Sequence, residues 1–275
     1  MLKVGFISYL NAYPFYYPFQ QMSDDELKGW EVVVDRPGKL NKMIHEDELD
    51  VSLVSFMEYA ANPDKYLLVP EIGLSSKGYV DSVRLLSNIR IQDLAEHEIL
   101  VTSASATSVA VMKILLHDCG VKGYSCKTYE APKGIPHGTA ALTIGDEALT
   151  EKTNYKFSYD LGEIWQKKFS RNIVFATCII NRKAVEWKQA ELNSLIATLQ
   201  SAPKYSYENK KDFELACLNQ FPAIKAPMSY LDRLQFKMGE AEISDLKFFL
   251  NKAYECGLLK TLVEPEYFQP LTELA

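Results

Sequence analysis

Apolar and polar positions along this chain follow two alternating rhythms. Short apolar runs bounded by turn residues fall at residues 3–8, 31–35 and 49–55. Their length and β-branched content predict buried strands. Asn11 and Pro14 end the first run, and Tyr13, which precedes a proline, is expected outside the α region. Between the runs, apolar residues recur at helical spacing. Residues 15–21 are aromatic-rich and predict a short helix, Leu40, Met43 and Ile44 share one helical face, and Glu58, Tyr59 and Ala60 lie on another short helix. This strand–helix–strand–helix order predicts a largely parallel sheet covered on both faces.

The pattern changes over residues 72–87, two extended runs joined around Gly78 with no long helix between them. This segment is expected to be an antiparallel or crossover element leaving a first domain. The α/β rhythm then resumes with a strand at 98–102, a hydroxyl-rich loop at 103–108, an amphipathic helix at 109–119 stopped by Gly120, and a strand running into a helix start over 140–149. The passage at 140–149 echoes Leu53-Val54-Ser55 with Glu58 and Tyr59, as expected of two similar half-sheets. Residues 174–180 form a long apolar run suited to a return crossing. From Lys183 onward the pattern is helical, with stripes at Leu192, Leu195, Ile196 and Leu199 and at Ile243, Leu246, Leu250 and Ala253. Two crossings and a helical tail predict two α/β lobes, residues 1–84 plus 180–275 and residues 85–179.

Composition narrows the functional classes. The 275 residues are 47% hydrophobic and 24% charged, with a net charge of −6. That balance suits a globular chain and argues against a bulk basic surface for nucleic acid. No apolar run reaches the ~18 residues that cross a bilayer. The first strand begins too early to leave room for a secretory signal. The five cysteines are scattered without a CxxC pair, and the four histidines never fall at HxxxH or HExxH spacing. A reduced, cytoplasmic protein without metal or cofactor is therefore expected.

Candidate chemistry lies where predicted strands end, because ligands in open α/β sheets sit beyond the carboxyl ends of strands. Four loops qualify: Ser8, Tyr9 and Asn11; Ser55 and Phe56; Ser105, Thr107 and Ser108; and Gly145 with Asp146. The first is either a ligand-facing turn or one whose Asn satisfies local backbone. The third sits at a helix N-terminus, where hydroxyls either cap the helix or, with its free N–H groups and dipole, hold a carboxylate. Ser82, or Arg84 two residues on, could supply a second anchor. Asp146 and Glu147 could act as acid or base, or serve only the helix dipole. No nucleophile–base pair stands out, and these residues by themselves describe a cleft for a small anion.

Seven stretches in register carry a family pattern. They are Ser8-Tyr9-Leu10-Asn11 with Pro14; Asp50-Val51-Ser52-Leu53-Val54-Ser55 with Glu58-Tyr59; Gly78-Tyr79-Val80-Asp81-Ser82-Val83; Thr107-Ser108-Val109; Lys113-Ile114-Leu115-Leu116; Ile144-Gly145-Asp146-Glu147-Ala148-Leu149; and Tyr159-Asp160-Leu161-Gly162-Glu163-Ile164-Trp165. Over residues 3–180 the chain resembles chorismate dehydratase of the futalosine route to menaquinone. Two departures are Ala106, where many relatives carry a basic residue, and residues 168–173, which replace a Gly-Pro-containing approach to the last crossing.

The resemblance implies a two-lobed type II periplasmic-binding-protein-like α/β fold with two crossover strands and a central cleft, used for catalysis in the cytoplasm. It implies removal of water from chorismate, a dicarboxylate, to give 3-[(1-carboxyvinyl)oxy]benzoate. Asn11 would orient the substrate or stabilise developing charge, and Ser82 would hydrogen-bond the leaving hydroxyl or a carboxylate. Ser8, Tyr9, Ser55, Phe56, Ser105, Thr107, Ser108, Gly145 and Asp146 would bind substrate, and the substrate's own enolpyruvyl carboxylate could take the proton. The competing readings are a cytosolic binding protein or sensor for a small carboxylate and the related dihydroxynaphthoate synthase, whose N-terminal signature differs. Oligomeric state is not legible.

Overall fold

The computed structural model describes residues 1–130, 135–152 and 154–269. Its strands form two sheets. In the first, β1 (Leu2–Ile7) pairs in parallel with β2 (Trp30–Asp35) on one side and with β3 (Val51–Ser55) on the other. The helices between them, α1 (Tyr13–Gln21) and α2 (Pro37–His45), make the connections that parallel pairing requires. β4 (Tyr66–Ser76), β10 (Ile173–Asn181) and β11 (Leu234–Lys237) complete an order of β11-β4-β10-β3-β1-β2. These three join antiparallel, so the sheet is mixed rather than largely parallel. Parallel pairing in this sheet holds where helices cross over, and β4, which leaves the lobe, lies antiparallel to β10, which returns to it.

The second sheet has the order β7-β6-β8-β5-β9, built from β5 (Val83–Ser87), β6 (Glu98–Thr102), β7 (Ser125–Tyr129), β8 (Ala140–Ile144) and β9 (Phe157–Asp160). β6 lies parallel to β7 and β8, while β5 runs antiparallel to β8 and β9. The α3 helix (Phe56–Ala61) follows β3 as α5 (Gly145–Thr150) follows β8, which gives the echo in the sequence its structural form. The expected lobe limits, 84 and 179, fall inside β5 and β10. The chain changes sheets in the segments before those strands, 77–82 and 170–172.

The first crossing is clamped in place. Gly78 has φ +76° and Asp81 φ +66°. The Asp160 carboxylate, which caps α6 (Leu161–Phe169) by accepting from Glu163 N–H at 2.9 Å, also accepts from the amides of Val80 at 3.2 Å and Asp81 at 2.6 Å. Gly162 lies so close to the Gly78 carbonyl that a Cβ there would collide with it. The Tyr159–Trp165 stretch is thus a backbone clamp. Trp165 packs its buried ring on Phe249 of α11 (Glu240–Glu255), and Phe249 packs on Phe56, so this C-terminal helix joins the cores beneath both sheets.

Other corrections follow from packing. Tyr13 adopts the α region, φ −60° and ψ −32°, because Pro14 lies in the first turn of α1, where a missing N–H costs no helical bond. The helix α4 (Ala106–Asp118) begins before residue 109 because Ser105 caps it, which draws Thr107 and Ser108 into its first turn. The tail is not wholly helical, since β11 adds an edge strand to β4. Among the described residues, no helix is long and apolar enough to cross a membrane.

Candidate functional site

Loops from both sheets converge on a cavity of about 480 Å³, its open mouth included. Tyr9, Asn11, Ser55, Ser82, Ser105, Ser108 and Gly145 line it, which brings together seven positions expected from the sequence. Its walls are apolar, with Leu74, Val80, Phe175 and Leu234 among them, and none of the described residues that line it is a carboxylate, lysine, arginine or histidine. In such a wall a few polar groups fix a ligand's orientation.

At the tip of β1 the chain turns through a 3-10 segment, Leu10–Ala12. This presents Asn11 to the cavity, and its Oδ1 is buried without a hydrogen-bond partner. A buried amide oxygen left unpaired costs stability, and this one has an acceptor position to offer a molecule in the cavity. The Tyr9 ring lies against Gly145, whose φ is +62° and where a Cβ would come within 2.9 Å of that ring. Burial, reinforced by the neighbouring Glu147, raises the Tyr9 pKa and keeps its phenol protonated.

At the end of β3 and the start of α4, hydroxyls bridge the two sheets. Ser55 Oγ accepts from the Thr107 amide at 2.8 Å and lies 2.7 Å from Thr107 Oγ1, which in turn accepts from the Met57 amide at 3.1 Å. Ser105 Oγ accepts from the Ser108 amide at 3.2 Å and meets Ser108 Oγ at 3.0 Å. The Thr107 and Ser108 N–H groups at this helix start are therefore already used. What faces the cavity is the pair of hydroxyls, with the helix dipole behind them.

Ser82 ends the first crossing, ahead of β5. Its carbonyl accepts from Gly145 N–H at 2.8 Å, and its Oγ accepts from the Tyr230 hydroxyl at 2.8 Å. Arg84 is turned away and donates to the Ala148 carbonyl, leaving Ser82 as the anchor of the two that reaches the cavity.

Four expected positions lie outside the lining. Phe56 is core, its ring 5.9 Å from Tyr59 and 6.0 Å from Phe249. Thr107 is fully buried behind Ser55. Ser8 and Asp146 border a neighbouring recess with Arg36 and Glu147. There Asp146 Oδ1 accepts from Leu10 N–H at 3.0 Å, and Arg36 pairs with Glu147 at 3.0 Å, so both contacts tie the strand ends of one sheet to α5 of the other. Burial lifts the Asp146 carboxyl to about 7, with Glu147 adding to the shift and the Leu10 amide and Arg36 opposing it.

Sequence reasoning missed Tyr230, on the short helix α10 (Pro227–Leu231), and Phe175 on β10. A lone tyrosine in a helical tail carries no local signal, and only the return of the chain to the cleft brings it to Ser82.

Two sheets joined by two crossings, with a ligand cavity on the strand-end loops between them, define a two-lobed α/β binding architecture. The aliphatic sulphonate binding protein SsuA of Escherichia coli shares it, with a TM-score of 0.66 and 12% identity over 100% of this chain and 93% of that protein. A Candida albicans gene product described as exhibiting the generic periplasmic binding protein fold gives 0.65 and 12%, covering 100% of this chain and 99% of that one. The chain has the periplasmic-binding-protein fold. It belongs to the menaquinone biosynthesis family, whose sequence model matches residues 2–255. A chorismate dehydratase of Thermus thermophilus is 32% identical over 127 residues, a stretch spanning 45% of this chain and 45% of that protein.

Proposed function

We propose that this protein removes water from chorismate to give 3-[(1-carboxyvinyl)oxy]benzoate, acting as a carbon–oxygen lyase in the cytoplasm on the futalosine route to menaquinone. The observation that carries the reading is the composition of the cavity. Among the described residues it offers an amide and several hydroxyls in an apolar wall but no carboxylate or histidine. Such a site suits a substrate that brings its own base and gains aromaticity on reaction.

In this reading one substrate carboxylate rests at the start of α4 against the Ser105 and Ser108 hydroxyls, where the dipole favours negative charge. Asn11 hydrogen-bonds the substrate and stabilises charge developing on the ring. The enolpyruvyl carboxylate takes the C3 proton, that electron pair forms the new ring double bond, and the C4–O bond breaks. The carboxylate passes that proton to the hydroxyl as it leaves C4, so that it departs as water and the carboxylate is restored, with a hydrogen bond from Ser82 assisting the departure. Tyr9 and Ser55 shape the pocket. The apolar walls exclude competing water and strengthen each of these polar contacts. The Leu10–Asp146 and Arg36–Glu147 contacts hold the two lobes together beside the cavity.

The test is incubation of purified protein with chorismate, followed by chromatography and mass spectrometry. The expected result is a catalytic quantity of product 18 mass units lighter and aromatic in its ultraviolet spectrum. Chorismate recovered unchanged, even if bound, would refute the enzymatic reading in favour of a carboxylate sensor.

A further inference from the structure

We propose that Tyr230 is a positioning residue that fixes Ser82 as a hydrogen-bond donor into the cavity, an inference that rests on reading this cavity as a dehydratase site. Tyr230 reaches Ser82 from far along the chain. The residue is 4% exposed, and its hydroxyl donates to Ser82 Oγ at 2.8 Å. Among the described residues that is the one hydrogen bond this hydroxyl makes. A buried O–H without an acceptor is costly, so its proton stays on this bond. Burial also raises the phenol's pKa, which keeps it a neutral donor.

The consequence falls on Ser82. A serine hydroxyl has one proton and two lone pairs, and it ordinarily rotates to suit its surroundings. Here one lone pair is occupied by Tyr230, so the Ser82 proton cannot lie along that direction. No acceptor for it is found among the described residues, and Ser82 lines the cavity. The proton is left for a ligand oxygen. The main chain cannot turn the serine away, because the Ser82 carbonyl is bound by Gly145 N–H and the preceding Asp81 amide by Asp160.

The same short stretch holds the crossing at a second point. Arg233 pairs with Asp81 at 3.2 Å and lies over the Tyr79 ring at 5.2 Å. Residues 230–233 therefore grip the loop that carries Ser82, and Tyr230 aims the hydroxyl within that grip.

The test is a double-mutant cycle on chorismate turnover. Tyr230→Phe keeps the ring and removes the donor, so kcat should fall roughly 10-fold while KM changes little, as expected for an interaction felt mainly in the transition state. Ser82→Ala should cost more. The double variant should match Ser82→Ala within about twofold, because Tyr230 has nothing left to aim. It also removes both partners together, so, unlike Ser82→Ala, it leaves no buried hydroxyl without an acceptor and keeps the comparison readable against a loss of stability. Wild-type kcat in Tyr230→Phe, or losses that multiply in the double variant, would overturn the positioning role alone. A wild-type protein inert toward chorismate would instead overturn the dehydratase reading, and this role with it.

Discussion

Replacing Asn11 with alanine separates a binding group from a structural turn, because the two roles predict changes in stability of opposite sign. Asn11 Oδ1 is buried with no partner. An unsatisfied buried polar atom costs about 1–3 kcal/mol, and deleting it removes that cost. Some packing is lost with the amide, but the side chain is only partly buried and alanine suits the 3-10 turn over Leu10–Ala12. The net change should lie between zero and roughly +1 kcal/mol. For a chain of this size, 1 kcal/mol moves Tm by roughly 2–4 °C. Thermal melts should therefore show Asn11→Ala unchanged or slightly more stable. Its turnover of chorismate should fall about 100-fold, as when one preorganised hydrogen-bonding group is deleted from a water-excluded site. The assay is a melt and a steady-state rate on the same preparation. A lower Tm with turnover intact would refute the reasoning and return Asn11 to a turn that satisfies local backbone.

Thr107→Val keeps the shape but removes the acceptor of Met57 N–H and the partner of Ser55. Stability should fall by about 1–3 kcal/mol, seen as a lower Tm, while KM rises only modestly because the Thr107 hydroxyl lies outside the cavity. Gly145→Ala forces a left-handed backbone on an L-residue and drives a Cβ toward the Tyr9 ring. The backbone term alone is about 1–2 kcal/mol, and titration with a substrate analogue should also show weakened binding as Tyr9 is displaced. Asp146 titrates near 7 in the folded protein against 3.8 ordinarily, so the folded state holds the proton more tightly. Its contribution to stability therefore declines as pH rises from about 4 to about 7 and is constant above that. Asp146→Asn keeps an acceptor for Leu10 N–H, so its Tm advantage over the wild type should widen across that window. A gap that does not vary with pH would contradict the assignment.

Much of the framework was legible because burial leaves a periodic trace. β1, β3, β8 and β10 are continuously or nearly continuously buried and read as apolar runs. The positions of the loops after β1, β3 and β8 were likewise readable, since a helix that follows a strand places the turn between them at the strand's carboxyl end. Ser105 could be seen as a cap or an anion group, and it forms the cap while still facing the cavity. The edge strand β7 left no such trace. β7 is exposed along most of its length, so nothing in Ser125–Tyr129 alternates, and only its backbone pairing with β6 makes it a strand. Tertiary structure also divided neighbours that the sequence presents alike. Ser55 faces the cavity while Phe56 turns into the core, and Ser108 lines the site while Thr107 is held behind Ser55. Tyr230 reached Ser82 only through the return of the chain, because hydrogen bonds between residues distant in sequence are selected by packing and carry no local pattern.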